Sequence, residues 1–272
     1  MPTAQTPRVP AEVIDEAANR LLVAGYTNSP CEPVRDLIGA EDVQAAYAVQ
    51  EVLTGARVEE GAAIVGRKIG LTSEAVQQQL GVSQPDFGIL FDNMAYMSGD
   101  TIPFEAVLQP RVEAEIAFVL KHDLVDGPLD LEQIRTAVDF AVAALEVCGS
   151  RVRDWDISFA DTVADNASSG AFVLGTERRT LGTFEPRDVQ MTMRVTNQND
   201  ANGTGAACLG DPLLALQWLA VRARELGAPL LAGQVILSGA LGPMRPVQPG
   251  AVAHAEITGL GSVSVRFSSK DI

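Results

Sequence analysis

Hydrophobic residues recur at helical spacing over the first part of the chain. Two segments, starting near residues 10 and 42, carry this pattern on Val13, Ile14, Ala17, Ala18, Leu21 and Leu22 and then on Ala45, Ala46, Val49, Val52 and Leu53. Apolar side chains with this spacing form one face of an amphipathic helix that packs against a core. We therefore predict a mainly helical region over residues 1–60.

Beyond residue 61 the helical spacing gives way to short runs that are typical of strands. The clearest runs are residues 112–120, 191–195, 234–238 and 262–267. Two more helices are predicted, over residues 131–141 and 211–226. Because strands and helices do not alternate regularly, the pattern favours an α+β fold with a mixed or largely antiparallel β-core over a doubly wound parallel sheet.

The chain shows no sign of a division into domains. It has 272 residues, of which 47% are hydrophobic, and it carries no repeat, low-complexity tract or Pro/Ser-rich linker. A chain of this length can bury a substantial core without disulfides. We predict a single domain over residues 1–272, with a helical N-terminal region over 1–60 and a β-rich core over 61–272.

The charge balance restricts the class of partner. With 20 basic and 35 acidic residues, the formal net charge is −15, which repels nucleic-acid phosphates and anionic membranes. We therefore expect neither a nucleic-acid nor a membrane partner. An anionic substrate would need a bound cation or a local cluster of basic residues to reverse the field.

The cysteines and the start of the chain predict a cytoplasmic protein. Cys31, Cys148 and Cys208 are scattered and show no CxxC spacing, which indicates a reducing compartment rather than a disulfide framework. The first residues contain no basic segment followed by an apolar one, so we expect no export signal.

Two glutamates alternate with apolar residues in the segment 109–120. Because successive side chains of a strand point to opposite faces, Glu113 and Glu115 should leave the same face. Such a pair can simply be the solvated face of a strand, or it can bind a hard cation such as Mg²⁺ or Mn²⁺ between the two carboxylates.

A third acid, Glu146, lies in the otherwise apolar run 143–148. An unpaired carboxylate there would be unfavourable, so something should compensate its charge. A salt bridge to Arg151 or Arg153 is one possibility, and ligation of the same cation as Glu113 and Glu115 is the other.

Three further residues could take part in chemistry. Lys68 lies among glycines in residues 66–73, where it could bind a carboxylate or move protons. Asp86 could act as a general acid or base, and Ser168 could donate a hydrogen bond to a substrate. Each also has a plain structural interpretation, because lysines at strand ends are commonly solvated and Asp and Ser beside Pro or Gly commonly form turns.

Six strings together resemble the 2-keto-4-pentenoate (2-hydroxypenta-2,4-dienoate) hydratases of the fumarylacetoacetate hydrolase superfamily. They are GRKIGLTS at residues 66–73, QPDFG at 84–88, QPRVEAEI at 109–116, ALEVCGSRVRDW at 144–155, DTVADNAS at 161–168 and ILSGALGP at 236–243. The resemblance covers nearly the whole chain and implies a mixed β-sandwich or roll of the superfamily type. It also implies a small-molecule 2-hydroxydienoate substrate.

The resemblance assigns roles to particular residues. It implies that Mg²⁺ or Mn²⁺ is held by Glu113, Glu115 and Glu146. The residues that it makes catalytic or substrate-binding are Lys68, Asp86, Ser168, Leu71 and Thr72. It further implies a homo-oligomer, either a pentamer or a decamer, and it leaves room for association with a decarboxylase or an aldolase of the same pathway.

The implied reaction is metal-dependent addition of water to a 2-hydroxy-2,4-dienoate in the degradation of aromatic compounds. The nearest alternative is the sister 4-oxalocrotonate decarboxylase, which resembles this chain in the KIGLTS string and the acidic residues. The PDFG form at residues 85–88 favours the hydratase, since the resemblance implies that the decarboxylases lack an aspartate there. A C–C bond hydrolase and a non-catalytic partner subunit are further alternatives.

Overall fold

The computed structural model describes residues 9–73 and 84–269 of the chain. Residues 1–8, where we predict the absence of an export signal, lie outside this described part. The described helices of four residues or more are α1 (Ala11–Tyr26), α2 (Arg35–Ile38), α3 (Val43–Glu59), α4 (Leu131–Ala137), α5 (Phe159–Ala164) and α6 (Pro212–Glu225). None of them is both long enough and apolar enough to cross a bilayer.

The N-terminal helices are present as predicted and form their own apolar layer. Ala17 and Leu21 of α1 and Ala45 and Val49 of α3 are buried in one cluster. Phe159 of α5 packs into the same cluster, which ties the N-terminal layer to the segment that leads into Ser168.

The strands form two sheets. They are β1 (Ile64–Gly70), β2 (Asp86–Phe91), β3 (Ala95–Met97), β4 (Thr101–Ile102), β5 (Arg111–Leu120), β6 (Val138–Cys148), β7 (Ser169–Leu174), β8 (Gln190–Val195), β9 (Ala201–Thr204), β10 (Val235–Leu237), β11 (Arg245–Pro246), β12 (Val252–Ile257) and β13 (Gly261–Phe267). The large sheet has the order β2-β1-β10-β5-β6-β7-β3, with β11 also paired to β5, and the small sheet has the order β4-β13-β12-β8-β9.

Both sheets are mixed, which confirms the predicted fold class. Within the large sheet β1 is parallel to β10, whereas β5 is antiparallel to both β10 and β6. Ile116 and Phe118 of β5 share one buried cluster with Val263 and Val265 of the small sheet. Burying a side chain such as Phe118 contributes about 1.5–3 kcal/mol, so this shared core holds one face of β5 in place and leaves its other face for the glutamates.

One predicted helix is wrong at its end. The helix predicted over residues 131–141 ends at Ala137, and β6 begins at Val138. Val138 and Phe140 pair with Leu120 and Val119 of β5. β-branched and aromatic residues pack well on a pleated surface, so the long-range pairing with β5 outweighs the local helical pattern. The helix predicted over residues 211–226 is observed as α6.

Candidate active site

Strand register brings three glutamates onto one face of the large sheet. Glu113 of β5 lies directly opposite Glu146 of β6, and Glu115 is one pleat further along β5. Directly paired residues of an antiparallel ladder share a face, as do residues two apart on a strand. All three carboxylates are buried, with exposed fractions of 6%, 0% and 0% for Glu113, Glu115 and Glu146. We call these three residues the glutamate cluster.

Lys68 of β1 is the basic partner of the glutamate cluster. Its Nζ lies 3.0 Å from Oε1 of Glu146, and only 3% of the residue is exposed. The interpretation of Lys68 as a solvated strand-end lysine is therefore wrong. So is the salt bridge considered between Glu146 and Arg151 or Arg153, because Arg151 pairs with Asp165 and Arg153 pairs with Glu32.

Several oxygens of the glutamate cluster have no hydrogen-bond partner. Oε2 of Glu115 accepts from the Gly239 amide at 2.8 Å, and Oε1 of Glu113 accepts from Sγ of Cys148 at 3.7 Å. Oε1 of Glu115 and both oxygens of Glu146 lack a bond of normal geometry, although Lys68 is close enough for an ion pair. Buried carboxylate oxygens without partners are unfavourable. This donor set therefore fits a hard divalent cation, which prefers carboxylate ligands.

The pKa shifts of the site also indicate that the buried carboxylates lack enough positive charge around them. Burial and the neighbouring glutamates raise the pKa of Glu115 well above its usual range, and burial raises the pKa of Glu146 to about 7 against the opposing effect of Lys68. Burial also raises the pKa of Glu113. Burial alone would lower the pKa of Lys68, but the acids around it, Glu146 above all, hold that pKa well above its usual range. A bound cation would reverse these shifts in the glutamates.

Asp86 on β2 approaches the same site from the other side of β1. It is 2% exposed, and burial raises its pKa to about 6. Gly70 lies opposite it in the ladder, and a Cβ at Gly70 would sit 2.1 Å from Oδ1 of Asp86. Oδ1 itself has no hydrogen-bond partner. The absence of a side chain at Gly70 thus leaves room for a carboxyl group whose proton affinity suits acid–base chemistry.

Ser168 is held by a strained segment of backbone. Asn166, Ala167 and Ser168 all have positive φ, at 55°, 50° and 56°, and non-glycine residues rarely adopt this region. The Asn166 side chain stabilises the segment by bonding the amide and the carbonyl of Ile89 at 2.7 and 3.0 Å. Strain of this kind clusters at functional sites. The Ser168 hydroxyl is hydrogen-bonded to the Thr162 hydroxyl at 3.0 Å.

A buried glutamine links these two parts of the site. Nε2 of Gln50 on α3 donates to the carbonyl of Phe87, next to Asp86, and to the carbonyl of Val163 on α5, at 3.0 and 2.9 Å. The N-terminal helical layer therefore fixes the distance between β2 and the segment that carries Ser168.

A cavity of about 570 Å³ joins the predicted residues. It is lined by Lys68, Gly70, Leu71, Thr72, Ser73, Asp86, Arg111, Glu113, Cys148, Asp154, Trp155, Ile157, Thr162, Ala167, Ser168, Ala240 and Met244. Leu71 and Thr72, predicted to bind substrate, are among them. Glu115 and Glu146 are not in its lining and are fully buried. The volume is ample for a small organic acid.

Sequence reasoning missed Arg111, Trp155 and Cys148 as residues of the cavity. The guanidinium of Arg111 lies 4.3 Å from the centre of the Trp155 ring, and Arg111 pairs with Cys148 across the strands. The alternation that placed Glu113 on the functional face also places Arg111 there, two residues earlier. Cys148 follows Glu146 by two residues in the same way. For Arg111 and Cys148 the signal was therefore present in the sequence.

Comparisons with known proteins identify the family of this chain. The family model described as fumarylacetoacetate hydrolase C-terminal matches residues 63–268. A "TodF product hydratase" of Pseudomonas putida F1 is 50% identical over 94% of this chain and 95% of its own length. A 2-keto-4-pentenoate hydratase of Paraburkholderia xenovorans LB400 is 48% identical over 95% of this chain and 96% of its own length.

A solved structure is similar over almost the entire chain. It is the 4-oxalocrotonate decarboxylase from Pseudomonas putida G7 complexed with magnesium and adipate, with a TM-score of 0.90 and 31% identity, covering 96% of this chain and all of that one. Another structure of the same enzyme, complexed with calcium and acetate, has a TM-score of 0.89. The family match and the identities agree with the strings found in the sequence, and the chain belongs to the fumarylacetoacetate hydrolase family.

Proposed function

We propose that this protein is a hydro-lyase that adds water to 2-hydroxypenta-2,4-dienoate, or to a short alkyl homologue, and releases a 4-hydroxy-2-oxo acid. The observation that carries the proposal is the glutamate cluster, which contains buried oxygens without hydrogen-bond partners and whose Glu113 lines a cavity together with Lys68, Asp86 and Ser168. Hydratases at 48–50% identity over nearly the full chain support this reaction.

The glutamate cluster is the proposed metal site, with Glu113, Glu115 and Glu146 as ligands and Mg²⁺ or Mn²⁺ as the ion. The buried oxygen donors described above suit either of these hard cations. When bound, a divalent cation supplies positive charge that stabilises an enolate and polarises a 2-oxo group. Magnesium and calcium in the similar decarboxylase structures support a divalent ion.

The overall reaction needs two proton placements and one addition of hydroxide. Ketonisation removes the proton of the 2-hydroxyl group and places a proton on C5, which gives a 2-oxo-3-enoate. Hydroxide from water then adds to C4 and a proton adds to C3. Groups that hold protons near neutral pH are suited to these transfers.

We assign these tasks to three side chains of the cavity. Lys68, kept cationic by Glu146, binds the anionic end of the substrate and stabilises charge on the enol oxygen. Asp86, whose pKa is about 6, exchanges a proton with the water or with the distal carbons. Ser168 orients the substrate through its hydroxyl, which is hydrogen-bonded to the Thr162 hydroxyl, and the backbone at Leu71 and Thr72 contributes to binding.

A decarboxylase is the second candidate, because the structural neighbour with a TM-score of 0.90 is one. The observation that favours hydration is Asp86. Its buried carboxyl lies in the cavity, where it can activate water, whereas loss of CO₂ requires no activated water.

The proposed setting is a cytoplasmic homo-oligomer, either a pentamer or a decamer, with room for a pathway decarboxylase or aldolase as partner. The three free cysteines support a reducing compartment. The oligomer rests on the family resemblance, and light scattering on the purified protein tests it.

Turnover by chelator-treated protein tests the function directly. We expect no loss of the dienol absorbance from 2-hydroxypenta-2,4-dienoate without metal, and restored loss with Mg²⁺ or Mn²⁺. Nuclear magnetic resonance should identify the product as 4-hydroxy-2-oxopentanoate. Release of CO₂ from 2-hydroxymuconate, with the pentadienoate left unchanged, would favour the decarboxylase instead.

A further inference from the structure

Cys148 lies next to the glutamate cluster, and the proposed reaction does not use it. It follows Glu146 by two residues on β6, is 3% exposed, and lines the cavity. Its Sγ donates to Oε1 of Glu113 at 3.7 Å. The thiol therefore points toward the same space as the carboxylates.

The donor atoms around Cys148 lie close enough together to converge on one metal ion after small side-chain movements. Sγ of Cys148 and one carboxylate oxygen each from Glu113 and Glu146 all lie within 4.8 Å of one another. Ligand bonds of about 2.0–2.3 Å place donor atoms of one ion roughly 3–4 Å apart. The second, independent sign of a ligand is Glu146, which is fully buried and whose oxygens accept no hydrogen bond of normal geometry from the described residues, although Oε1 forms an ion pair with Lys68.

We propose that Glu113, Glu146 and Cys148 form a mixed carboxylate–thiolate site that binds a thiophilic divalent cation such as Zn²⁺ or Cd²⁺ and thereby inhibits the enzyme. This inference rests on the proposed function, because it adds regulation by competing metals to the same site. Soft thiolates select Zn²⁺ and its heavier relatives, whereas Mg²⁺ binds oxygen and leaves a thiol unused. On binding, the thiol proton passes to solvent as the sulfur–metal bond forms, and no electron is transferred.

The other two cysteines provide matched controls. Cys208 is also buried, but its Sγ donates to the carbonyl of Ser238 at 2.9 Å. Cys31 is half-buried and its Sγ donates to the carbonyl of Arg151 at 3.3 Å. Neither belongs to a group of metal-ligating atoms like that around Cys148 within the described residues.

Titration of metal-free full-length protein with Cd²⁺ tests the proposal by a measurement other than activity. An equimolar amount of Cd²⁺ should produce thiolate-to-metal charge-transfer absorbance in the ultraviolet, visible in the difference spectrum against metal-free protein. The Cys148→Ser and Cys148→Ala variants should lose this absorbance and bind Cd²⁺ about tenfold more weakly or worse. The Cys31→Ser variant should keep both the absorbance and the affinity. Excess Mg²⁺ should suppress the absorbance, because the two ions share Glu113 and Glu146.

Several results would overturn the proposal. One is absorbance that persists in both Cys148 variants, and another is absorbance that is absent from folded wild type or insensitive to Mg²⁺. Thermal unfolding shows whether each variant is folded. The proposed function fails separately, if Mg²⁺-loaded wild type leaves the dienoate unchanged while the Cd²⁺ absorbance still depends on Cys148.

Discussion

Two groups of buried acids in this molecule have opposite relations to their surroundings. The glutamate cluster leaves three oxygens without hydrogen-bond partners. Asp161 and Asp165, which we call the aspartate pair, are equally buried, but all of their oxygens are hydrogen-bonded. Asp161 accepts from the amides of Val34, Arg35 and Ser158, each at 2.8 Å, and from the Arg35 guanidinium at 2.9 Å. Asp165 accepts from the amide and guanidinium of Arg151.

The comparison separates structural acids from functional ones. Satisfied carboxylates such as the aspartate pair cap helix ends and connect loops, so the folded chain supplies everything that they need. A cluster that the chain leaves unsatisfied needs a ligand from outside. Residue type and burial alone would not distinguish the two groups, because both consist of carboxylates and both are buried.

The most severe test removes one charge from the glutamate cluster. We expect Glu113→Gln to lower kcat/KM by about a thousandfold or more, because the amide is a poor ligand for a hard cation. The free energy of unfolding of the metal-free protein should stay the same or rise, since like charges repel there. Steady-state kinetics in the presence of Mn²⁺ and urea denaturation measure the two effects. Retained activity, or a large loss of stability, would show that Glu113 is a structural acid like Asp161 and Asp165.

The next test concerns Asp86, which lies beside the glutamate cluster. If its ionised form activates water, kcat/KM should fall as the pH drops below about 6, the raised pKa of Asp86. Asp86→Asn should lower kcat/KM by about a hundredfold, and the acidic limb of the profile should disappear. Rate profiles of both proteins decide the matter. An acidic limb that persists at the same pH in the variant would assign the titration to another group.

The site shows how far sequence reasoning reaches. Alternation along β5 placed Glu113 and Glu115 on one face because the period of a strand is two residues. Register is set by packing between distant segments, so the pairing of Glu113 with Glu146 could not be derived from spacing. The same limit applies to Lys68 on β1, because its partner Glu146 lies on β6, and β10 and β5 stand between these two strands in the large sheet.

Local sequence patterns did not predict the structure of two other segments. The helical pattern of residues 131–141 extended into β6, where pairing with β5 prevails. Asn166, Ala167 and Ser168 have positive φ angles although none of them is a glycine, so nothing in the sequence signals this conformation. Their conformation depends on the bonds of Asn166 to Ile89, which joins segments 77 residues apart.

A third test removes a member of the aspartate pair. Asp161→Ala leaves the amides of Val34, Arg35 and Ser158 without their acceptor and should lower the free energy of unfolding by about 3 kcal/mol. Mn²⁺ affinity should not change in the folded variant. The exposed ion pair of Arg20 with Asp36 is the control, since Asp36→Ala should lower stability by less than about 1 kcal/mol. Equal effects in the two variants would contradict the structural assignment of Asp161.

The smallest expected effect is the stabilisation of the protein by metal itself. An ion that binds only the folded state at ten times its dissociation constant adds about 1.4 kcal/mol to the free energy of unfolding. Wild type and Asp36→Ala should both show this gain on addition of Mn²⁺, whereas Glu146→Gln should not, because the gain depends on the glutamate cluster. Thermal unfolding with and without Mn²⁺ measures it. If Glu146→Gln gained as much as wild type, the ion would bind elsewhere, and the unpartnered oxygens of Glu146 would have lost their explanation.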